Sequence, residues 1–233
     1  MSEGVSARSA AVAVGAVAQV AVSAWAGPDV GARARADGST ILPAGWAFSI
    51  WGLIFLLSLV YAVLLFTPAR RSVSIGGGEW WLAVAFLANT LWMVVFTSGL
   101  VVVAQVVIIV GAVAAIRALL AARHWFACVI TGLLAGWLTA ATFVGVATTL
   151  THLGVSPDAV IVGVVLLVLA AAVAGWVLLR GGPLIGSIAY TAAVVWALAG
   201  VMAEQWTRLT GIVALVLAVV LAALLVYRAR PSV

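Results

Sequence analysis

The sequence predicts an all-α membrane protein, a polytopic helical bundle of about eight transmembrane helices, and three observations carry that prediction. Hydrophobic residues make up 67% of the 233 positions and charged residues only 7%, a balance that no water-exposed globular surface sustains. Apolar runs of roughly 20 residues, the length a hydrocarbon core of about 30 Å demands of a helix, recur with short interruptions. The strict alternation of apolar and polar positions that a transmembrane barrel needs is absent.

Taken in order, the first run spans residues 10 to 26, after Arg8 and up to Ala24-Trp25-Ala26. That pattern also suits a signal peptide, but a retained helix fits better, because the next loop is brief and the topology closes without cleavage. Residues 27 to 42, with their Gly, Asp, Arg and Ser, read as an exposed connection. Pro43 suits the first turn of a helix and so opens the second span, 43 to 66. Inside it Phe48, Trp51 and Phe55 recur at helical spacing as an aromatic ridge. The third span, 80 to 99, sets Trp81, Ala85, Asn89, Trp92 and Phe96 on one face, and Thr97, Ser98 and Gly99 mark its turn into the fourth, 101 to 121. The fifth, 125 to 150, carries Trp137, a face of Thr131, Ala135, Thr142, Gly145 and Thr149, and the pair Gly132 and Gly136, spaced for close helix approach. Spans at 159 to 179, 184 to 203 and 209 to 227 complete the set, with Gly182 and Gly186 repeating the glycine spacing.

All eleven basic residues are Arg. With the N-terminus inside, eight of them (Arg8, Arg70, Arg71, Arg117, Arg123, Arg180, Arg228 and Arg230) fall on inner segments and three (Arg33, Arg35 and Arg208) on outer ones. The positive-inside rule then predicts cytoplasmic N- and C-termini. Asp29, Asp37, Asp158 and Glu204 fall outside, and Glu204 with Arg208 has the spacing of an i, i+4 ion pair. The Lys-free composition, rich in Ala, Val, Gly and Arg, suggests a GC-rich bacterial genome and hence the cell (cytoplasmic) membrane.

Several classes are disfavoured. No ionisable residue sits near the middle of a span, which argues against proton-coupled transport. No nucleophile-base pair, carboxylate pair, phosphate loop or metal-ligand spacing can be assembled, so the expectation is a non-enzymatic protein without metal. No basic stripe points to nucleic acid, and the single Cys128 excludes an intrachain disulfide. His124 and His152 lie near span ends, where a structural role is the default. Asn89, the one asparagine, needs a partner at membrane depth. It is either interhelical glue or a ligand contact beside two tryptophans.

The run PAGWAFSIWGLIFLL at 43 to 57 resembles the proline, tryptophan and phenylalanine signature that opens a helix in the tryptophan-rich sensory proteins, the TspO/MBR (translocator protein) family. LANTLWMVVF at 87 to 96 resembles that family's Asn-x-x-Trp helix, and AGWLTAATFVGV at 135 to 146 its Trp-x-x-x-Ala helix. VVWALAGV at 194 to 201 is similar to a segment of longer relatives. Two departures stand out: Leu133 and Leu134 replace an expected Pro-Tyr pair, and Gly145 replaces an expected Asn.

The resemblance implies a five-helix bundle over residues 1 to 150, with three additional helices over 151 to 233 packed on it. It implies an intramembrane pocket for a planar hydrophobic ligand, a tetrapyrrole or a sterol-like lipid, with haem or porphyrin as ligand and no cofactor. Carried over by motif, the ligand-binding positions are Trp46, Phe48, Trp51, Asn89, Trp92, Trp137 and Ala141. A homodimer is likewise implied by the resemblance alone. Two readings of other classes stand beside it: a passive transporter or channel for a small neutral solute, using the Thr and Gly face of the fifth span, and a membrane scaffold docking a partner protein through its glycine-spaced faces.

Overall fold

The computed structural model describes residues 6 to 36, 39 to 155, 159 to 180 and 182 to 230. Among the described residues the chain forms α1 (Ala7–Ala36), a 3-10 turn (Gly45–Ser49), α2 (Ile50–Leu64), α3 (Arg70–Val73), α4 (Gly78–Thr97), α5 (Val101–Ala121), α6 (Trp125–His152), α7 (Ala159–Leu179), α8 (Leu184–Glu204) and α9 (Leu209–Ala229), without a strand. All but α3 enter the eight spans long and apolar enough to cross a membrane, the 3-10 turn and α2 counting as one. The protein is a multi-pass membrane protein. Asp37 and Asp158, two of the acids assigned to the outer face, lie outside the described residues.

Three local expectations are corrected. Residues 27 to 36 are not a loop: α1 runs on for 30 residues with Pro28 inside it. Ala26, Val30 and Ala34 are buried at successive steps of four and pack with Met93, Phe96 and Val101, and that apolar stripe outweighs the loop-like Gly, Pro and Asp. Pro43 does not begin a helix either, since the 3-10 turn intervenes before α2 starts at Ile50. Glu204 ends α8 and Arg208 is the N-cap of α9, so they share no helix and the i, i+4 pairing geometry does not exist. The turn between α4 and α5 does fall at Gly99, whose φ of 86° suits a residue without Cβ. His124 caps α6, its Nδ1 accepting from the Phe126 N–H at 3.3 Å.

The helices close into a ring, α1 against α2 and α4, α4 against α5, α5 against α6, and α6 back against α2. The last three helices attach to one side of it, α8 against α6, α9 against α8, and α7 against both α9 and α6. One buried apolar cluster runs from Val12 of α1 to Leu221 of α9, continuous across both groups. Polar groups at the Arg-rich end are also shared between helices. Glu79, in the first turn of α4 and buried, accepts from the hydroxyls of Ser9 of α1, at 3.1 Å, and of Ser74. The α4 N-terminus favours this negative charge.

The α6 glycines explain how α8 comes so close. A Cβ built on Gly132 would lie 2.6 Å from the Gly186 carbonyl oxygen and 2.9 Å from the Ala189 Cβ, and one on Gly136 would run into the Tyr190 carbonyl. Gly186 in turn faces Leu119 and Cys128, which places the lone cysteine in packing. The Gly132 and Gly136 pair is therefore consumed within the chain, as is Gly186, whereas an added Cβ on Gly182 would meet nothing within 4 Å. Gly52 likewise has nothing within 4 Å of its added Cβ. Gly136→Leu should lower the unfolding free energy in detergent by about 1–3 kcal/mol or more through overpacking, whereas Gly52→Ala should leave it unchanged or raise it by about 0.5–1 kcal/mol. Thermal denaturation followed by size-exclusion chromatography compares the two, and equal effects would refute the packing account.

Candidate functional site

Inside the ring, toward the Arg-poor face, lies a cleft whose empty volume, open end included, is about 630 Å³. Val30 and Ala34 of the α1 extension form one wall, Trp92 and Phe96 of α4 another, and Trp137, Ala141, Val144 and Gly145 of α6 a third, with Phe48 and Gln105 completing it. A second cleft of about 680 Å³ adjoins it, sharing Val30, Phe48 and Trp92, and reaches Trp51, Phe55 and Arg35. The aromatic walls are ordered against one another. Phe48 and Trp51 meet the Trp137 ring edge-on at centroid distances of 5.8 and 6.0 Å, while Trp51 stacks on Phe55 at 5.2 Å and Trp92 on Phe96 at 5.3 Å. Such pairs contribute about 0.5–1.5 kcal/mol each beyond area burial and hold rigid faces in place.

Of the sequence-predicted positions, Phe48, Trp92, Trp137 and Ala141 line the first cleft, and Trp51 lines the second. Trp46 and Asn89 line neither. Trp46 is exposed on one side and packs edge-on against Trp196 of α8 at 4.9 Å. Trp196 then donates its indole N–H to the Ala47 carbonyl at 2.8 Å, and the Ala44 N–H donates to the Gly200 carbonyl at 3.0 Å. Gly200 also lets Pro43 and Ala47 lie against α8, where a Cβ would come within 2.9 Å of both. Thr40 completes the anchorage, donating to the Ala159 carbonyl at 2.7 Å. Helices α7 and α8 thus hold the 3-10 turn that presents Phe48 and the segment leading into it.

Asn89 has a different partner. It is buried, and its Nδ2 donates to Gln19 Oε1 at 3.1 Å, while Gln19 Nε2 donates to Ser58 Oγ at 3.0 Å. Ser58 passes its own hydrogen to the Ile54 carbonyl at 2.7 Å. A chain of amides and a hydroxyl therefore ties α4, α1 and α2 together, the interhelical role rather than a cleft-lining one. Asn89 Oδ1 finds no hydrogen-bond partner among the described residues.

Sequence reasoning missed Gln19 and Gln105. The argument applied to Asn89, that a side-chain amide inside a span needs partners, applied to both glutamines equally. Gln105 donates to the Thr142 carbonyl at 3.1 Å, and its oxygen occupies the space a Cβ at Gly145 would need. Trp196 was also missed as a support, since its partners are 149 residues away. Thr142, Thr148 and Thr149 donate their hydroxyls to carbonyls one turn back in α6, so the cleft's Thr face has spent its donors. The indole N–H of Trp137 is buried without a partner among the described residues.

A family model described as TSPO-like protein matches residues 6–227. No curated protein and no solved structure matches the chain.

Gln19→Leu should destabilise the protein more than Asn89→Ala, because it cuts both links and strands the Asn89 amide. Expected losses are about 1–3 kcal/mol for the former and about 0.6–2 kcal/mol for the latter. A double-mutant cycle by chemical denaturation in detergent should give a coupling of about 0.6–1.7 kcal/mol; additive losses would mean the two amides do not interact.

Proposed function

The chain belongs to the TSPO-like protein family, and on that premise we propose that it is a membrane binding or sensory protein holding a planar hydrophobic ligand, a tetrapyrrole or sterol-like lipid, in the aromatic cleft. The observation that carries this reading is the convergence of Phe48, Trp92 and Trp137 from three separate elements on one apolar cavity. Rigid aromatic rings accept a flat ligand at low entropic cost, and the small side chain of Ala141 keeps that part of the α6 wall free of bulk. In this reading Trp51 extends the surface into the second cleft, while Trp46 and Asn89 are supports.

One polar feature shapes the choice of ligand. Gln105 stands in the wall of the first cleft with its amide nitrogen on the Thr142 carbonyl, and the second N–H of that nitrogen suits a ligand carbonyl or carboxylate oxygen where a pure hydrocarbon would leave it unused. The proposed role is binding, with Gln105, Thr148 and Thr149 as polar side chains in the wall of the first cleft.

Absorbance titration of the detergent-purified protein with protoporphyrin and haem tests this directly. A saturable one-site spectral shift is expected, weakened by about tenfold, or 1.4 kcal/mol, in Trp92→Ala and in Ala141→Trp, which fills the cleft. Trp46→Phe should change it less than about twofold, since that ring packs on α8 and not on the ligand. Unsaturable or variant-insensitive uptake would show partitioning into the micelle and defeat the proposal.

A further inference from the structure

At the Arg-rich end, on the side of the bundle away from the aromatic cleft, the C-terminal parts of α5 and α7 stand apart across a groove of about 740 Å³ lined by Val113, Ile116, Arg117, Leu120, Trp176 and Arg180. We propose that this groove is a binding site for an anionic phospholipid, its phosphate held by Arg117 and Arg180 and an acyl chain lying along Val113 and Ile116.

The neighbouring arginines show what a structurally employed guanidinium looks like here. Arg123 donates to the Leu120 and Ala122 carbonyls at 2.8 Å each, closing the end of α5. Arg228 donates to the Ser187 hydroxyl and, at 2.7 Å, to the Gly182 carbonyl, tying α9 to the start of α8. Arg117 and Arg180 do neither. Both are exposed, and among the described residues neither guanidinium donates a hydrogen bond or meets a carboxylate. Their recorded contacts are aromatic, the Arg180 guanidinium lying 4.6 Å from the Trp176 centroid and that of Arg117 5.9 Å from the Trp81 centroid.

A tryptophan face orients a guanidinium yet leaves its in-plane N–H donors unused. The negative ends of α5 and α7 favour a nearby cation, but that favours each arginine separately and does not require both to line one groove. Two unpaired guanidiniums at one groove suit bidentate capture of phosphate oxygens. Arg117 lies four residues inside the end of α5, at a depth where a charge is costly without a partner or a path to the interface. The apolar stretch running deeper from it can take a hydrocarbon chain. An occupant with a phosphate at headgroup depth and an acyl tail below it is a phospholipid, and the two positive charges select an anionic one.

The test is native mass spectrometry of the full chain in detergent, titrated with dioleoylphosphatidylglycerol or dioleoylphosphatidylcholine. One phosphatidylglycerol should bind saturably and at least about tenfold more tightly than phosphatidylcholine. Arg117→Gln with Arg180→Gln should abolish that preference, and Val113→Trp, which obstructs the groove without changing charge, should weaken retention at least about fivefold. Arg70→Gln with Arg71→Gln, on the same face but outside the groove, should leave binding intact. Equal affinity for the two lipids, loss in the Arg70 and Arg71 pair as large as in the groove pair, or displacement by millimolar inorganic phosphate would each overturn the assignment. The groove variants alter exposed side chains, and unchanged melting temperatures would confirm that lost binding is not lost folding.

Discussion

The close approach of α6 and α8, which only the missing side chains of Gly132 and Gly136 permit, is the contact on which the rest of the arrangement depends. It fixes α8 against the five-helix ring. From α8, Gly200 and Trp196 then grip the segment from Pro43 to Ala47, and that grip decides where Phe48 points. An apolar bilayer supplies no hydrophobic force between helices, so van der Waals fit and buried hydrogen bonds must supply the association. The chain meets that demand with glycine at the crossing and with hydrogen bonds at the cleft mouth. A substitution on α6 that never touches a ligand would still move the cleft wall.

The polar groups inside the membrane are few: the threonines of α6 bond within their own helix, while the side-chain amides connect helices. Gln19, Ser58 and Asn89 join α1, α2 and α4 in mid-span, Ser9 and Glu79 join α1 to α4 nearer the Arg-rich end, and the Tyr190 hydroxyl meets Thr139 of α6 at 3.0 Å. This division leaves the aromatic cleft mostly apolar and largely free of structural duties. The exception, Gln105, stands at the cleft wall and gives an otherwise apolar lining one polar contact. Lipid recognition at the opposite end rests on a different chemistry, charge at the interface, so the two sites are separable in experiment.

The extension of α1 shows why composition misleads near a membrane surface. Gly27, Pro28, Asp29 and the two arginines beyond have the character of a loop, yet the segment is helical because Val30 and Ala34 close over the cleft against α4 and α5. The hydrogen bonds of a helix are local, and the packing that makes this stretch worth folding is not.

Much was legible in the sequence: the all-α class, the eight spans, the turn at Gly99, the rigid aromatic content of α2 and α4, and the family. These follow from length and hydropathy, which the bilayer imposes on each segment separately, and from short motifs that stay contiguous in the chain. What only the tertiary structure decided is which way each helix faces. In water an apolar face is an inward face, but in lipid both faces are apolar, so periodicity could not say that Trp46 turns to Trp196, that Asn89 turns to Gln19, or that Gly132 and Gly136 serve an internal seam. Those choices belong to partners dozens of residues away, and packing alone makes them.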